Sequence, residues 1–323
     1  MKLSSSFAAA LAACIAIVLA PAAMAQDYPS RLIRIVVPFP AGDGSDRIAR
    51  ILAERMQAKW NQPVVVENRT GAGGNIGAEF VSKAPADGYT LMVTPQFTLV
   101  INKSLYPKLN YDPNAFAPVS VLVGGDIVLV TNPRVAANNV QELIALAKAK
   151  GGTMNYASPG AGSMGHLIGE YFKTREGVSI AHIPYKGGTP ALMDLLAGQV
   201  DMMFVALGPT VTHVKAGKLR ALGVTGEKRS RSLPDVPLMS TMLPDFVFTY
   251  WFGMVAPPAT PPAITAKLSA TMAEILKQPD VQQKVNDLSL EVVASTPEQM
   301  EAAMAKERER WERIIKATGV TAE

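Results

Sequence analysis

The sequence has one cysteine, Cys14, and it falls in the first apolar stretch, so no disulfide framework can hold the remainder together. Charge bias is also missing: 31 lysines and arginines stand against 27 aspartates and glutamates, spread over 323 residues, which leaves no basic stripe for a nucleic acid. Histidine is scarce, and His166, His182 and His213 lie too far apart in sequence for metal-ligand spacing, so neither a metal nor another cofactor is expected. Past residue 25 no apolar run approaches the roughly 20 residues that span a bilayer, which excludes a membrane pore. What is plentiful is apolar material. At 48% hydrophobic residues the chain can fill one large core or two ordinary ones, which excludes a disordered tail protein and a stapled miniprotein.

The N-terminus carries its own signal. Lys2 precedes an uncharged run from Leu3 to Ala25, which ends in Ala23-Met24-Ala25 before Gln26 and Asp27. A basic start, an apolar middle and an Ala-x-Ala site describe a secretory signal peptide, residues 1–25, cut after Ala25. Leu11-Ala12-Ala13-Cys14 offers a rival lipoprotein box, but the apolar stretch before it is short and Ile15 to Leu19 continue the run beyond it.

Short β-branched runs then alternate with longer stretches of helical period, the mark of βαβ units in mostly parallel sheets. Leu32 to Val37, Val64 to Val66 and Tyr89 to Val93 read as a first set of strands, with Ile48, Ile51, Leu52 and Met56 forming a helical stripe between them. A second set begins at Ile127 to Val130 and continues through Met154–Ala157, Val178–Ile183, Val200–Phe204 and Leu219–Val224. Gly198 and Gly217 stand where left-handed helix caps are wanted. Two α/β lobes are predicted. Pro257 to Pro262 ends the second series and starts an amphipathic helix, and Pro297 to Thr318 forms another whose charged side is a solvated face.

Two loops are candidates for anion binding. Phe39-Pro40-Ala41-Gly42-Asp43-Gly44-Ser45-Asp46 joins the first strand to the first helix, and Ser45 or Asp46 is expected to cap that helix. Ser158, Gly160, Ala161, Gly162, Ser163 and His166 repeat the design in the second lobe. Facing each other across a cleft, the two helix N-termini would hold one small acid. Ala161-Gly162-Ser163-Met164-Gly165 also comes near the G-x-S-x-G elbow, so a secreted hydrolase using Ser163 is a competing reading, weakened by the lack of partner signatures around the later histidines. Gly71-Ala72-Gly73-Gly74 invites a dinucleotide reading. The next strand, however, ends in Thr94-Pro95-Gln96 rather than in a ribose-binding acid, and Thr94 and Gln96 suit a neutral or acidic small ligand. Lys186 and Gly187 follow another strand end, where Lys186 could attract an anion.

In this order, Ile35 to Gly42, Val65 to Arg69, Asp87 to Leu91, Ser158 to Gly160 with Gly162, Ser163 and His166, His182 to Gly187, and Leu233 to Pro237 resemble the periplasmic substrate-binding proteins of tripartite tricarboxylate transporters, the Bug-type receptors. The resemblance implies a two-lobed Venus flytrap of the periplasmic-binding-protein class. It assigns residues 26–126 and 251–323 to one lobe and 127–250 to the other. It also implies a monomer that captures a small carboxylate in the periplasm and docks on transporter membrane subunits, or alternatively feeds a sensory system. Ligand contacts then fall on Phe39 to Asp46, Ser158 to His166, Lys186-Gly187 and the strand end at Val205. Two departures stand out. Asp43 replaces a usual glycine, so it either faces solvent or meets a donor on the ligand. Val205 replaces a common aspartate, which favours a di- or aromatic carboxylic acid without an ammonium group.

Overall fold

The structure, a computed structural model, describes residues 28–321, so Cys14 and the expected cleavage site lie outside the described residues. The chain opens with β1 (Ile33–Val37), α1 (Gly44–Trp60), β2 (Val64–Asn68), α2 (Asn75–Ser82) and β3 (Thr90–Pro95), which give three parallel strands in the order β2-β1-β3. The Ile48, Leu52 and Met56 stripe of α1 is buried against this sheet, and Asn61 ends the helix in the left-handed conformation.

The next strand, β4 (Ala117–Thr131), is 15 residues long. A second βαβ series follows: α3 (Val140–Lys150), β5 (Asn155–Ser158), α4 (Met164–Glu176), β6 (Ala181–Pro184), α5 (Gly188–Ala197), β7 (Met202–Ala206) and β8 (Arg220–Val224). The chain then returns through β9 (Thr249–Ala256) and closes with α6 (Pro262–Leu276), α7 (Pro279–Asp287), β10 (Glu291–Val292) and α8 (Pro297–Thr318). Gly198 caps α5 with φ 77°, as its position in the sequence suggests.

β4 belongs to both lobes. From Ala117 to Asp126 it pairs with β9, and from Ile127 to Thr131 with β7 and β8. The sheets are therefore mixed: the parallel pattern of the βαβ units holds for β2-β1-β3 and for β6-β5-β7, whereas every pairing of β4 and β9 is antiparallel. β4 carries the chain from the first lobe to the second and β9 carries it back, so the two run in opposite directions and pair antiparallel without a crossover helix.

A second segment crosses beside it. Thr225 donates its amide to the Ile127 carbonyl at 2.8 Å, accepts from the Phe248 amide at 2.8 Å, and gives its hydroxyl to the carbonyls of Ile127 and Phe248. One buried threonine thus ties both crossings together. α8 lies over β4, reaches α4 in the other lobe, and packs Trp311 on Phe248 with ring centroids 5.5 Å apart.

Candidate functional site

In the first lobe the cap of α1 is Asp43, not Ser45 or Asp46. Its Oδ1 accepts from the Ser45 amide at 2.9 Å and from the Ser45 hydroxyl at 2.7 Å. Asp46, one residue further on, is buried and serves the loop instead, accepting from Gly42 N at 2.8 Å, Arg50 Nε at 2.9 Å and Asn68 Nδ2 at 2.9 Å. Burial alone pushes its carboxyl up, but the bonds from Arg50, Gly42 and Asn68 outweigh that and hold it below its ordinary value. Gly44 is needed for another reason: a Cβ there would meet the Phe252 ring at 2.7 Å.

The second loop is ordered by imidazole. Ser163 caps α4, and the Gly162 amide donates to Nδ1 of His166 at 3.0 Å. A ring nitrogen that accepts carries no proton, so His166 is neutral with its hydrogen on Nε2. It stacks on His182 at 3.9 Å with the rings 6° from parallel, and His182 Nε2 pairs with Ser158 Oγ at 2.7 Å. Burial lowers the basicity of both rings, and with His166 beside it His182 falls to about 4. Gly165 lets the helix start close to the sheet, since a Cβ would lie 2.5 Å from the Phe204 carbonyl. The first turn of α4 holds no acidic residue, and the Met164 and Gly165 amides find no acceptor among the described residues.

Between the loops lies a cavity of 530 Å³. Of the residues expected at the site, Phe39, Asp43, Gln96, Gly160, Ala161, Gly162, Ser163 and Val205 line it. Gln96 is committed to the scaffold there: its carbonyl accepts from Trp251 N at 3.0 Å and its amide donates to Thr249 O at 3.3 Å. Ala41, Gly42, Gly44, Ser45, Asp46, Thr94, Ser158, His166, Lys186 and Gly187 are not part of the lining. Thr94 is buried with its hydroxyl 2.9 Å from Thr98, Ser158 and His166 stand behind the loop, Lys186 is exposed, and Gly187 donates its amide to Pro159 O at 2.9 Å.

Sequence reasoning missed the apolar wall. Phe97, Leu105 and Tyr106 follow β3, Phe204 lies in the middle of β7, Ile127 sits at the strand crossing, and Tyr250 and Phe252 come from β9. The one available signal is the position of Phe97 just after a strand end; β9 is remote in sequence and lies outside the strands predicted above. The Gly71–Gly74 motif is a packing turn: Cβ atoms on Gly73 and Gly74 would press on Tyr106 and Phe39.

A second cavity of 730 Å³ borders the crossing and includes Asp126, Tyr250 and Glu291. Burial, helped by Glu291, raises the Asp126 carboxyl to about 6. Among the described residues no cluster of three histidine, cysteine or acidic side chains could hold a metal, and no helix is long and apolar enough to cross a membrane.

Comparison with known proteins places this geometry in context. The sequence model of the tripartite tricarboxylate transporter family receptor matches residues 48–320. Protein BugT of Bordetella pertussis is 38% identical over 298 residues, which covers 91% of this chain and 91% of BugT. Among solved structures, an R. palustris protein with adipate is 34% identical with a TM-score of 0.81, covering 91% of this chain and 99% of that one. MatC from Rhodopseudomonas palustris with bound malate is 31% identical with a TM-score of 0.77, covering 89% and 100%.

Proposed function

The chain belongs to the tripartite tricarboxylate transporter receptor family, and from that premise we propose that it captures a small carboxylate between its lobes and delivers it to the membrane subunits of such a transporter. The family consists of periplasmic solute-binding proteins, not enzymes. The observation that carries the proposal is the pair of helix-opening loops on one cavity, with the Met164 and Gly165 amides of α4 lacking an acceptor among the described residues beside an apolar wall. Adipate and malate in the related structures support a carboxylate as the ligand. Ser163, whose hydroxyl accepts from the His166 amide, acts as a helix cap and polar contact.

In this reading residues 1–25 are a signal peptide cut after Ala25, residues 26–126 and 251–323 form one lobe, and residues 127–250 the other. The protein works as a monomer. The lobes swing about Asp126–Ile127 and Thr225–Phe248, and ligand favours the closed form because only there do both loops reach it. Micromolar affinity needs about −8 kcal/mol net, which a few charge-assisted hydrogen bonds and a desolvated apolar body supply after the cost of closure. A thermal-shift screen of carboxylic acids tests this, because a ligand at 100 times its Kd adds about 2.7 kcal/mol. Absence of any shift across aliphatic and aromatic acids would refute it.

A further inference from the structure

The cavity is electrically lopsided. Asp43 is the single charged side chain among its lining residues, and it forms no ion pair among the described residues. Its Oδ1 is taken by Ser45, and Oδ2 has no hydrogen-bond partner among the described residues. At this end the α1 dipole is already answered by two internal carboxylates, Asp43 at the cap and Asp46 in the first turn. At the other end α4 has a neutral serine cap, no acid in its first turn and two amides, of Met164 and Gly165, without an acceptor among the described residues.

A ligand carboxylate therefore has one favourable end, at α4. A second carboxylate brought beside Asp43 would meet like-charge repulsion. A cation there gains what the second carboxylate loses. We propose that Asp43 selects a zwitterionic monocarboxylate with an apolar body, its carboxylate on the α4 amides and its ammonium on Asp43. This inference rests on the carboxylate-receptor reading above. It reverses the expectation drawn from Val205: that side chain is a buried part of the wall, while the acceptor comes from the opposite lobe. Phe39, Phe97, Tyr106 and Phe252 give the body of the ligand an aromatic enclosure.

Matched pairs of acids isolate the effect. Calorimetric titration would compare 6-aminohexanoate with adipate, and 4-(aminomethyl)benzoate with 4-(carboxymethyl)benzoate, so that each pair differs at one end only. The amino member of at least one pair should bind about tenfold or more tighter than its di-acid partner. Asp43→Asn, which keeps the cap, should remove that preference, and Asp43→Gly should turn it toward the di-acid. Di-acids binding as tightly as amino acids in the native protein, or a preference unmoved in Asp43→Asn, would overturn the assignment of Asp43 alone. Failure of all four compounds together with every acid of the thermal screen would overturn the carboxylate reading itself.

Discussion

The Gly162 amide donates a hydrogen bond to Nδ1 of His166, four residues along the same loop and helix start. The imidazole does not line the cavity, yet it fixes the peptide that does. His166→Leu removes the acceptor while keeping a side chain of similar bulk, and leaves the Gly162 N–H without its partner. Losing such a bond costs about 1–3 kcal/mol. Ligand affinity should fall about tenfold while the far-ultraviolet circular dichroism stays unchanged; titration that gives the native Kd would show the loop is held by other means.

The histidine stack also makes stability depend on pH. In the unfolded chain His182 takes up a proton near its ordinary value of 6.5, whereas burial and His166 delay this in the folded protein to about 4. Between those values the unfolded state binds more protons, so stability falls as pH falls, by about 3 kcal/mol across the whole window. His182→Gln, which can still reach Ser158, should flatten that part of the Tm-against-pH curve. An equally steep loss in the variant would place its origin elsewhere.

Asp126 works in the opposite sense. Unfolded, its carboxyl ionises near 3.8; folded, burial and Glu291 raise this to about 6. Across that interval the folded state keeps a proton the unfolded state has lost, so stability falls as pH rises, and at neutral pH the ionised group costs about 1–3 kcal/mol, allowing for its partial exposure. Asp126→Asn should raise Tm at pH 7.5 and change little at pH 3.5. A gain of equal size at both values would point to packing against Gly226, whose Cα lies close to this carboxylate.

How much of this was legible in the sequence depended on distance along the chain. Ile48, Leu52 and Met56 announced their helix because three residues at helical spacing suffice, and Gly198 announced its cap for the same reason. β4 is legible only from Ile127 onward, since Pro118, Ser120 and the Gly124-Gly125 pair interrupt the β-branched pattern of its first half. The cap of α1 was misplaced because Asp43, Ser45 and Asp46 are all good caps within four residues, and only the position of the first turn decides among them. The partnership of Ser158 with His182 and the arrival of Tyr250 and Phe252 at the cavity come from tertiary contact, for which no local spacing exists.

The start of α4 offers the sharpest test of how the second loop is held. On helix propensity alone Gly165→Ala should stabilise, by up to about 1 kcal/mol. The added Cβ, however, would sit 2.5 Å from the Phe204 carbonyl, a backbone atom of β7 that cannot rotate away. Relieving that contact means moving the helix off the sheet, and overpacking of this kind costs about 1–3 kcal/mol. The clash should win, lowering Tm and pulling the Met164 and Gly165 amides out of the cavity, so that affinity for any carboxylate falls along with stability. Tm and Kd measured together decide the matter. If Gly165→Ala proves more stable with affinity intact, helix and strand are not in the close contact from which this site is built.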